Sequence, residues 1–289
     1  MSLQRSAVPA VWGVEDLTVR YGQRTALDHV SLAVPSSTLT AVVGGDGSGK
    51  STLLRALAGA VRPAGGCVRR PAAHQVGYVA GARAVYTDLT VDENVAFVAE
   101  AYGIGRAERE ARALLLLRRA GLIDARERLA GRLSGGMRQK LAFVLAALHE
   151  PQLLILDEPT TGVDPVSRAE LWRLIAAAAA GGAAIVVATT YLDEAERAAA
   201  VLVLQRGRAL LAGAPAEITA RLAGVLFDLP PDAVPAGALP RSWRNGALRR
   251  VWAPAGRPSA AAAPATPTLA DAVIVASLSA EKPAEEPGS

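Results

Sequence analysis

The fold is decided by the stretch Gly44-Gly45-Asp46-Gly47-Ser48-Gly49-Lys50-Ser51-Thr52. It fits the pattern G-x-x-x-x-G-K-[ST], and it lies between an apolar run at residues 39–43 and a helical pattern, which is the context that the pattern requires. Glycines let backbone N–H groups turn inward on a phosphate, and the N-terminus of the following helix adds partial positive charge. The stretch therefore predicts a phosphate-binding loop between a strand and a helix.

Two side chains of this loop are suited to binding Mg-ATP. Lys50 can reach the β- and γ-phosphates as a compact charge, and the Ser51 hydroxyl can ligate Mg²⁺. Lysine is scarce, because only Lys50, Lys140 and Lys282 occur in the chain, so a lysine at this position stands out. A glycine-rich turn that binds nothing is the alternative, and the strand, the spacing, the lysine and the serine together argue against it.

A pair of carboxylates, Asp157 and Glu158, follows an apolar run at residues 153–156. Parallel strands of α/β sheets present ligand groups at their C-terminal ends. Asp157 suits Mg²⁺ binding, directly or through water, and Glu158 suits polarising an attacking water as a general base. The alternative is an ordinary helix N-cap formed by Asp-Glu-Pro.

The surrounding patterns predict an α/β fold. Residues from Val11 to about Leu39 alternate as short strands and indicate a small antiparallel β unit. Residues 88–149 are helical in pattern and begin with a capping box, Thr90-x-x-Glu93. Apolar runs then predict further parallel strands at residues 153–156 and 183–189 and a hairpin at residues 201–211.

We expect one domain at residues 11–222, with the helical subdomain inside it. Beyond Leu222 the sequence is rich in Pro and Ala, which predicts a largely flexible C-terminal tail at residues 223–289. Within the tail, the apolar piece at residues 269–278 could dock on another element.

Composition limits the remaining classes of function. The net charge of +4 arises from 31 basic and 27 acidic residues without a clustered basic stripe, so no nucleic-acid partner is expected. Cys67 is the single cysteine, which excludes an internal disulfide and fits a reducing compartment. No signal peptide is visible, and Gly181-Gly182 divides the apolar residues 174–190 into a helix and a strand. A cytoplasmic location is expected.

Residues 133–139 read Leu133-Ser134-Gly135-Gly136-Met137-Arg138-Gln139. This stretch resembles the signature motif of ABC nucleotide-binding domains. The resemblance implies that Ser134 and the amides of Gly135 and Gly136 hold the γ-phosphate of an ATP bound by an opposing subunit, so that two chains enclose two ATP molecules. The alternative is a plain serine-capped helix.

Other positions agree with that family over roughly residues 11–218. Tyr21 stands where the family has an aromatic residue that stacks on adenine, and ordinary core packing is the alternative. Asp164 resembles a residue of the loop that crosses the dimer interface. The resemblance implies a P-loop NTPase core with a parallel sheet, a small antiparallel β subdomain and a helical subdomain that carries the signature motif.

Shorter stretches resemble a particular branch of the family. Residues 88–94, 134–137 and 191–196 look like those of ABC-2-type exporters of drugs or other small hydrophobic compounds, and residues 164–172 and 269–275 resemble the first of two cassettes in multidrug exporters. This implies an ATPase subunit that drives export through a separate ABC-2-type membrane permease, on the inner face of the cell membrane. The family resemblance also implies a second cassette as partner, and the residues Gly81 and Thr190, which depart from the family pattern, favour a heterodimer over a homodimer.

Two positions depart from the family pattern. A glutamine usually ends a strand close to I-G-Y-x-x-Q, and here Gly81 ends it; a histidine usually contacts the γ-phosphate, and here Thr190 takes its place. A threonine hydroxyl is shorter than imidazole and offers no ring. Loss of such a transition-state contact costs on the order of 3 kcal/mol, about a hundredfold in rate. We expect ATP binding to persist and hydrolysis at this chain's own site to be slow or absent.

Two rival functions follow from these observations. A non-hydrolysing, ATP-binding regulator of a heteromeric complex would tolerate Thr190. A soluble ABC protein that acts on ribosomes or DNA usually carries two cassettes or a long coiled coil, and the sequence contains neither.

Overall fold

The computed structural model describes residues 11–80, 84–254 and 264–280. The chain divides into two compact units, one up to Ala209 and one from Leu210. The strands that begin in the first unit are β1 (Val11–Tyr21), β2 (Arg24–Pro35), β3 (Leu39–Val43), β4 (Gly65–Arg69), β5 (Val76–Ala80), β6 (Leu153–Asp157), β7 (Ala184–Thr189), β8 (Ala200–Gln205) and β9 (Arg208–Gly213). Its helices are α1 (Lys50–Ala58), α2 (Val91–Ala101), α3 (Arg106–Arg119), α4 (Gly135–Ala147), α5 (Pro165–Ala180) and α6 (Leu192–Ala195).

The central sheet has the strand order β5-β6-β7-β3-β8-β9. The pairs β5–β6, β6–β7, β7–β3 and β3–β8 are all parallel. Strands β6 and β7 are buried along their whole length, which is the pattern of a parallel sheet covered on both faces. The predicted α/β class with a parallel sheet is confirmed.

The order of the strands brings the predicted ligand groups together. Strands β6, β7 and β3 are neighbours and run in one direction, so their C-terminal ends meet at one edge of the sheet. The glycine-rich loop follows β3, the carboxylate pair ends β6, and Thr190 follows β7. The pairing of β6, β7 and β3 thus brings the glycine-rich loop, the carboxylate pair and Thr190 to the same edge of the sheet.

A small antiparallel sheet and a group of helices complete the first unit. Strands β2, β1 and β4 form the antiparallel sheet in that order. Helix α2 begins with the predicted capping box, in which the Glu93 N–H donates to Thr90 Oγ1 at 3.1 Å and the Thr90 N–H donates to Glu93 Oε2 at 2.7 Å. Helices α2, α3 and α4 pack together as the predicted helical subdomain.

The second unit differs from the expectation for residues 223–289. Its described residues form a helix, an antiparallel sheet in the order β10-β12-β11, and a longer helix. These elements are α7 (Pro215–Ala220), β10 (Val225–Leu229), β11 (Ser242–Asn245), β12 (Leu248–Ala253) and α8 (Leu269–Ala280). The expectation of a largely flexible tail is therefore corrected for residues 225–254 and 264–280, and the unit begins before residue 223.

Contacts between residues far apart in sequence explain why composition was misleading. Leu226, Trp252 and Val275 form a small apolar cluster in the second unit. Arg250 is buried and donates to Asp228 at 2.7 Å, and it also pairs with Asp271 of α8. These partners stand about twenty residues apart, so a search for short-range periodicity does not find them.

The apolar residues 174–190 form the predicted helix, turn and strand, because α5 ends at Ala180 and β7 begins at Ala184. Within residues 11–80, 84–254 and 264–280, none of the helices combines the length and the apolar character that crossing a lipid bilayer needs. Gly81, one of the two departures from the family pattern, lies outside the described residues.

Candidate functional site

The glycine-rich loop forms a concave turn whose shape depends on the absence of side chains. Gly49, with φ of 111°, precedes α1, and a Cβ there would lie 2.7 Å from Leu27 Cδ2. Gly45 and Gly47 have open space where a side chain would stand. The Ser48 hydroxyl is buried without a hydrogen-bond partner in the structure, so a polar group at this loop would satisfy it.

Lys50, the first residue of α1, is only 5% exposed. Its Nζ donates to the carbonyl oxygens of Gly44 at 2.8 Å and Gly45 at 3.3 Å, and it lies 3.5 Å from Glu158 Oε1. A buried ammonium needs negative partners, and a phosphate can take the place of these oxygens. The geometry therefore suits Lys50 to an anionic ligand above the loop.

Ser51 and Asp157 bring two oxygen ligands together from α1 and β6. The Ser51 hydroxyl donates to Asp157 Oδ1 at 3.1 Å. Burial raises the pKa of the Asp157 carboxyl above its ordinary value; the Ser51 hydrogen bond opposes this, and the nearby Glu158 carboxylate adds to it. A divalent cation would favour the ionised carboxylate, so the pair fits Mg²⁺, whose other ligands would be phosphate oxygens and water.

The described residues do not contain a group of three or more His, Cys, Asp or Glu side chains placed to hold a metal ion. At nucleotide sites, one or two protein oxygens suffice for Mg²⁺ because the substrate phosphates complete the octahedron.

Glu158 is held in a strained conformation. Its φ is 49°, in the left-handed region that non-glycine residues rarely adopt. Its N–H donates to the carbonyl oxygen of Ala188 on β7 at 2.9 Å, and the Thr161 hydroxyl donates to its Oε2 at 3.3 Å. These contacts fix both the backbone and one carboxylate oxygen and leave Oε1 next to Lys50.

An open cavity of about 700 Å³ contains the loop and the general-base candidate. Its lining comprises Tyr21, Arg24, Thr25, Ala26, Asp46, Gly47, Ser48, Gly49, Lys50, Ser51, Thr52, Glu158, Arg206 and Gly207. Tyr21 is 48% exposed at the end of β1, which places it at the cavity and not in the core. The cavity is large enough for a nucleotide-sized ligand.

Sequence patterns did not single out Arg24 and Arg206 as site residues. Arg206 lies in the turn between β8 and β9 with φ of 51°. The next residue, Gly207, donates its N–H to Ser48 O at 2.9 Å and accepts from the Asp28 N–H at 2.8 Å, so the turn is docked on the loop. The hairpin at Arg206-Gly207 was visible in the sequence, but its docking depends on contacts across more than 150 residues.

The signature stretch forms the start of α4 and does not line this cavity. Ser134 is the N-cap of α4, and its Oγ accepts the Met137 N–H at 3.2 Å. Gly136 is buried against the first turn of α5, where a Cβ would overlap Ser167. Asp164 caps α5 by accepting the Ser167 N–H at 2.9 Å, and this hydrogen bond lowers the pKa of its carboxyl.

A second lysine connects the same two helices. Lys140 of α4 is 6% exposed, and its Nζ lies 2.7 Å from Glu170 Oε2 on α5. Together with the contact between Gly136 and Ser167, this ion pair fastens the signature helix to the helix that Asp164 begins. The sequence identified Lys140 only as one of three lysines.

The Thr190 position lies at the edge where the strand ends meet. Thr189, the last residue of β7, pairs with Val43, which directly precedes the glycine-rich loop. Thr189 is buried and Thr190 is exposed. The pairing of β7 with β3 therefore places Thr190 near the glycine-rich loop.

Three comparisons relate this chain to known proteins. A protein-family model described as "ABC transporter" matches residues 27–161. The probable multidrug ABC transporter ATP-binding protein YbhF of Escherichia coli is 38% identical over 214 residues, which cover 71% of this chain and 37% of that protein. The daunorubicin/doxorubicin resistance ATP-binding protein DrrA of Streptomyces peucetius is 34% identical over 220 residues, which cover 72% of this chain and 67% of that protein.

Among solved structures, an ATP-binding subunit of an ABC transporter superposes with a TM-score of 0.67 at 31% sequence identity. The match covers 73% of this chain and 93% of that one. The matched part of this chain thus spans nearly all of the solved subunit but only about a third of the Escherichia coli relative.

Proposed function

Because this chain belongs to the ABC transporter family of ATP-binding proteins, we propose that it is an ATPase subunit that couples the binding and hydrolysis of Mg-ATP to export of small, drug-like compounds through a separate ABC-2-type permease. The observation that carries the proposal is the convergence of Lys50 and Ser51, which follow β3, with Asp157 and Glu158 at the end of β6, two strands that flank β7 in the sheet.

In the proposed reaction, water attacks the γ-phosphorus and ADP leaves. Lys50 neutralises charge on the β- and γ-phosphates, and Tyr21 stacks on the adenine. Ser51 and Asp157 would hold Mg²⁺, which supplies positive charge to the phosphate oxygens. Glu158 accepts the proton of the attacking water, and its fixed backbone keeps the carboxylate in place.

The signature stretch supports a partner cassette. Ser134 and Gly135 are exposed at a helix N-terminus that lies outside the chain's own nucleotide cavity, so they are free to meet a phosphate carried by another cassette, while Gly136 holds this helix against α5. Asp164, the N-cap residue of α5, lies next to Gly136 of α4, where α4 and α5 pack together. We propose that this partner is a second, non-identical cassette.

A permease needs a docking surface, and an exposed aromatic pair supplies a candidate. Tyr86 and Phe97 are 54% and 48% exposed, and their rings meet edge to face with centroids 4.8 Å apart. Exposed aromatic side chains are enriched at protein interfaces because they bury a large apolar area. Binding there would place the chain on the inner face of the cell membrane.

Thr190 argues that the chain's own site hydrolyses ATP slowly. The hydroxyl follows β7 at the position where the family carries an imidazole, so one contact to the γ-phosphate would be weakened. In this form of the proposal, the chain binds ATP and lends Ser134 and its neighbours to the active site of the partner. A second candidate, favoured by the same observation, is a regulator that never hydrolyses ATP.

Single-turnover hydrolysis by the isolated chain and by the reconstituted pair tests the proposal. We expect Thr190→His to raise the rate of the isolated chain on the order of tenfold to a hundredfold, with Thr190→Ala as the matched control that shows no gain. The regulator predicts little gain from the histidine. Fast hydrolysis by the unaltered chain, at the level of an ordinary cassette, would refute the slow-site form.

Variants in the pair separate the two sites. If the chain's own site is slow, Glu158→Gln in this chain should change turnover of the pair by less than about twofold, whereas Ser134→Ala should lower it by roughly tenfold or more. Export is measured as ATP-dependent uptake of daunorubicin by inverted membrane vesicles that contain the chain and its permease. Uptake that persists without the chain would contradict its role in export.

A further inference from the structure

Glu194 is a carboxylate that the proposed reaction does not use, and it is almost completely buried, with 1% exposure. It lies in α6, directly after the strand end that carries Thr190. A carboxylate without solvent must be paired and hydrogen-bonded, since an unpaired buried charge is strongly destabilising. Its partners therefore indicate what it holds in place.

The first group of partners belongs to the end of β7. Thr189 Oγ1 donates to Glu194 Oε2 at 2.6 Å, and the same oxygen of Thr189 accepts the Tyr191 N–H at 3.0 Å. The residues on both sides of Thr190 are thus fixed by one hydroxyl that is itself fixed by Glu194. The backbone at Thr190 cannot rotate freely while these bonds persist.

The second group of partners belongs to α5. Trp172 Nε1 donates to Glu194 Oε1 at 3.3 Å, and Arg168 Nε lies 3.5 Å from the same oxygen. The Arg168 guanidinium also donates to Asp193 at 2.9 Å and lies 5.1 Å from the centre of the Tyr191 ring. Arg168 is one turn along α5 from the cap residue Asp164, so the network starts next to the proposed dimer interface.

We propose that Glu194 is a positioning residue, which joins α5 to the strand end that carries Thr190 and so sets where residue 190 stands relative to the bound phosphates. The proposal rests on the proposed ATPase function of this site. Strand β7 also holds the backbone of Glu158 through Ala188 O, so the same element positions the general base. Movement of α5 at the interface would reach residue 190 through Glu194.

The test uses Glu194→Gln in the full chain that also carries Thr190→His. The substitution turns one of the two accepting carboxylate oxygens into an NH₂ group, so Thr189 and Trp172 can no longer each donate to an oxygen of their own, and it removes the negative charge beside Arg168. Glu196→Gln is the matched control, because Glu196 is an exposed acidic residue at the C-cap of the same short helix. Thr189→Val is a second variant, which removes the hydroxyl that donates to Glu194 and accepts the Tyr191 N–H.

We expect Glu194→Gln to lower single-turnover hydrolysis by about tenfold or more, since small displacements of a reacting group cost that much, while the ATP dissociation constant changes less than about twofold. The control should change neither quantity. Unchanged hydrolysis in Glu194→Gln would overturn the proposal, and so would a parallel loss of ATP affinity and hydrolysis, because that pattern indicates general damage to the fold.

Amide hydrogen exchange at residues 189–195 separates failure of this proposal from failure of the proposed function. If Thr190→His brings no gain in hydrolysis, the proposal of a slow ATP site fails. The hydrogen-exchange measurement still tests whether Glu194 positions this segment. Faster exchange in Glu194→Gln and in Thr189→Val, with no change in Glu196→Gln, supports the positioning role. Exchange as slow as in the parent chain would refute it.

Discussion

Adding one methyl group to either of two adjacent glycines, in separate variants, should change stability by very different amounts. Gly135 and Gly136 both stand in the first turn of α4, but their surroundings differ. A Cβ at Gly135 would lie 3.6 Å from Gly162 O, an ordinary contact, whereas a Cβ at Gly136 would overlap both the Cβ and the Oγ of Ser167. The Ser167 hydroxyl can rotate away, but its Cβ can move only with the backbone of α5.

The size of the difference follows from this geometry. Both variants exchange Gly for Ala near one helix end, so the change in helix propensity largely cancels between them. What remains is the overlap, which costs about 1–3 kcal/mol in a well-packed interior. We therefore expect Gly136→Ala to unfold at a temperature roughly 2–10 °C below Gly135→Ala.

The measurement is thermal unfolding of the full chain, followed by circular dichroism, with both variants and the parent chain at equal concentration. Gly135→Ala should unfold near the parent temperature. If Gly136→Ala is as stable as Gly135→Ala, the close packing of the signature helix on α5 is wrong.

Three further predictions concern the nucleotide cavity. Burial raises the pKa of the Asp157 carboxyl, so in the nucleotide-free chain this group stabilises the fold at low pH, and its contribution is lost as pH rises through the raised pKa. In unfolding measurements from pH 4 to pH 8, Asp157→Asn should remove this loss of stability. The same variant should weaken Mg²⁺-dependent nucleotide binding. Arg206→Ala should raise the ATP dissociation constant about two- to fivefold in titration calorimetry without changing the rate constant of hydrolysis, as expected for an exposed charge at the cavity, and an unchanged dissociation constant would contradict its contact with the nucleotide. Tyr21→Ala should weaken ATP binding by about 5- to 100-fold but leave binding of tripolyphosphate, which has no base, unchanged; equal losses for both ligands would rule out stacking.

Local patterns were enough to predict the first unit. The loop around Lys50 and the capping box at Thr90 depend on residues a few positions apart, and the structure has the expected strand, turn and helix at each. The strand β6 is continuous and apolar, so its burial and the position of Asp157 at its end also follow from the sequence. The convergence of the three strand ends then follows from the sheet order.

Features that depend on distant partners were not predictable in this way. The pairing of Arg250 with Asp228 and Asp271 organises the second unit, yet a Pro- and Ala-rich sequence gives no periodic signal for it. The partners of Glu194 are likewise on two different elements, and the residue resembles any acidic residue of a surface helix until its burial is known. Pairs of this kind, between charged residues on different elements, can be recognised only once the folded structure is known.

The burial of Lys50 and Lys140 also affects how this protein responds to chemical labelling. Both described lysines are at least nine-tenths buried, and Lys282 lies outside the described residues. Acylating reagents that modify surface amines would therefore find few targets in the described part of the chain. A nucleotide that carries an amine-reactive group on its terminal phosphate would be delivered to Lys50 with little competition, and protection by unlabelled ATP would report occupancy of the cavity directly.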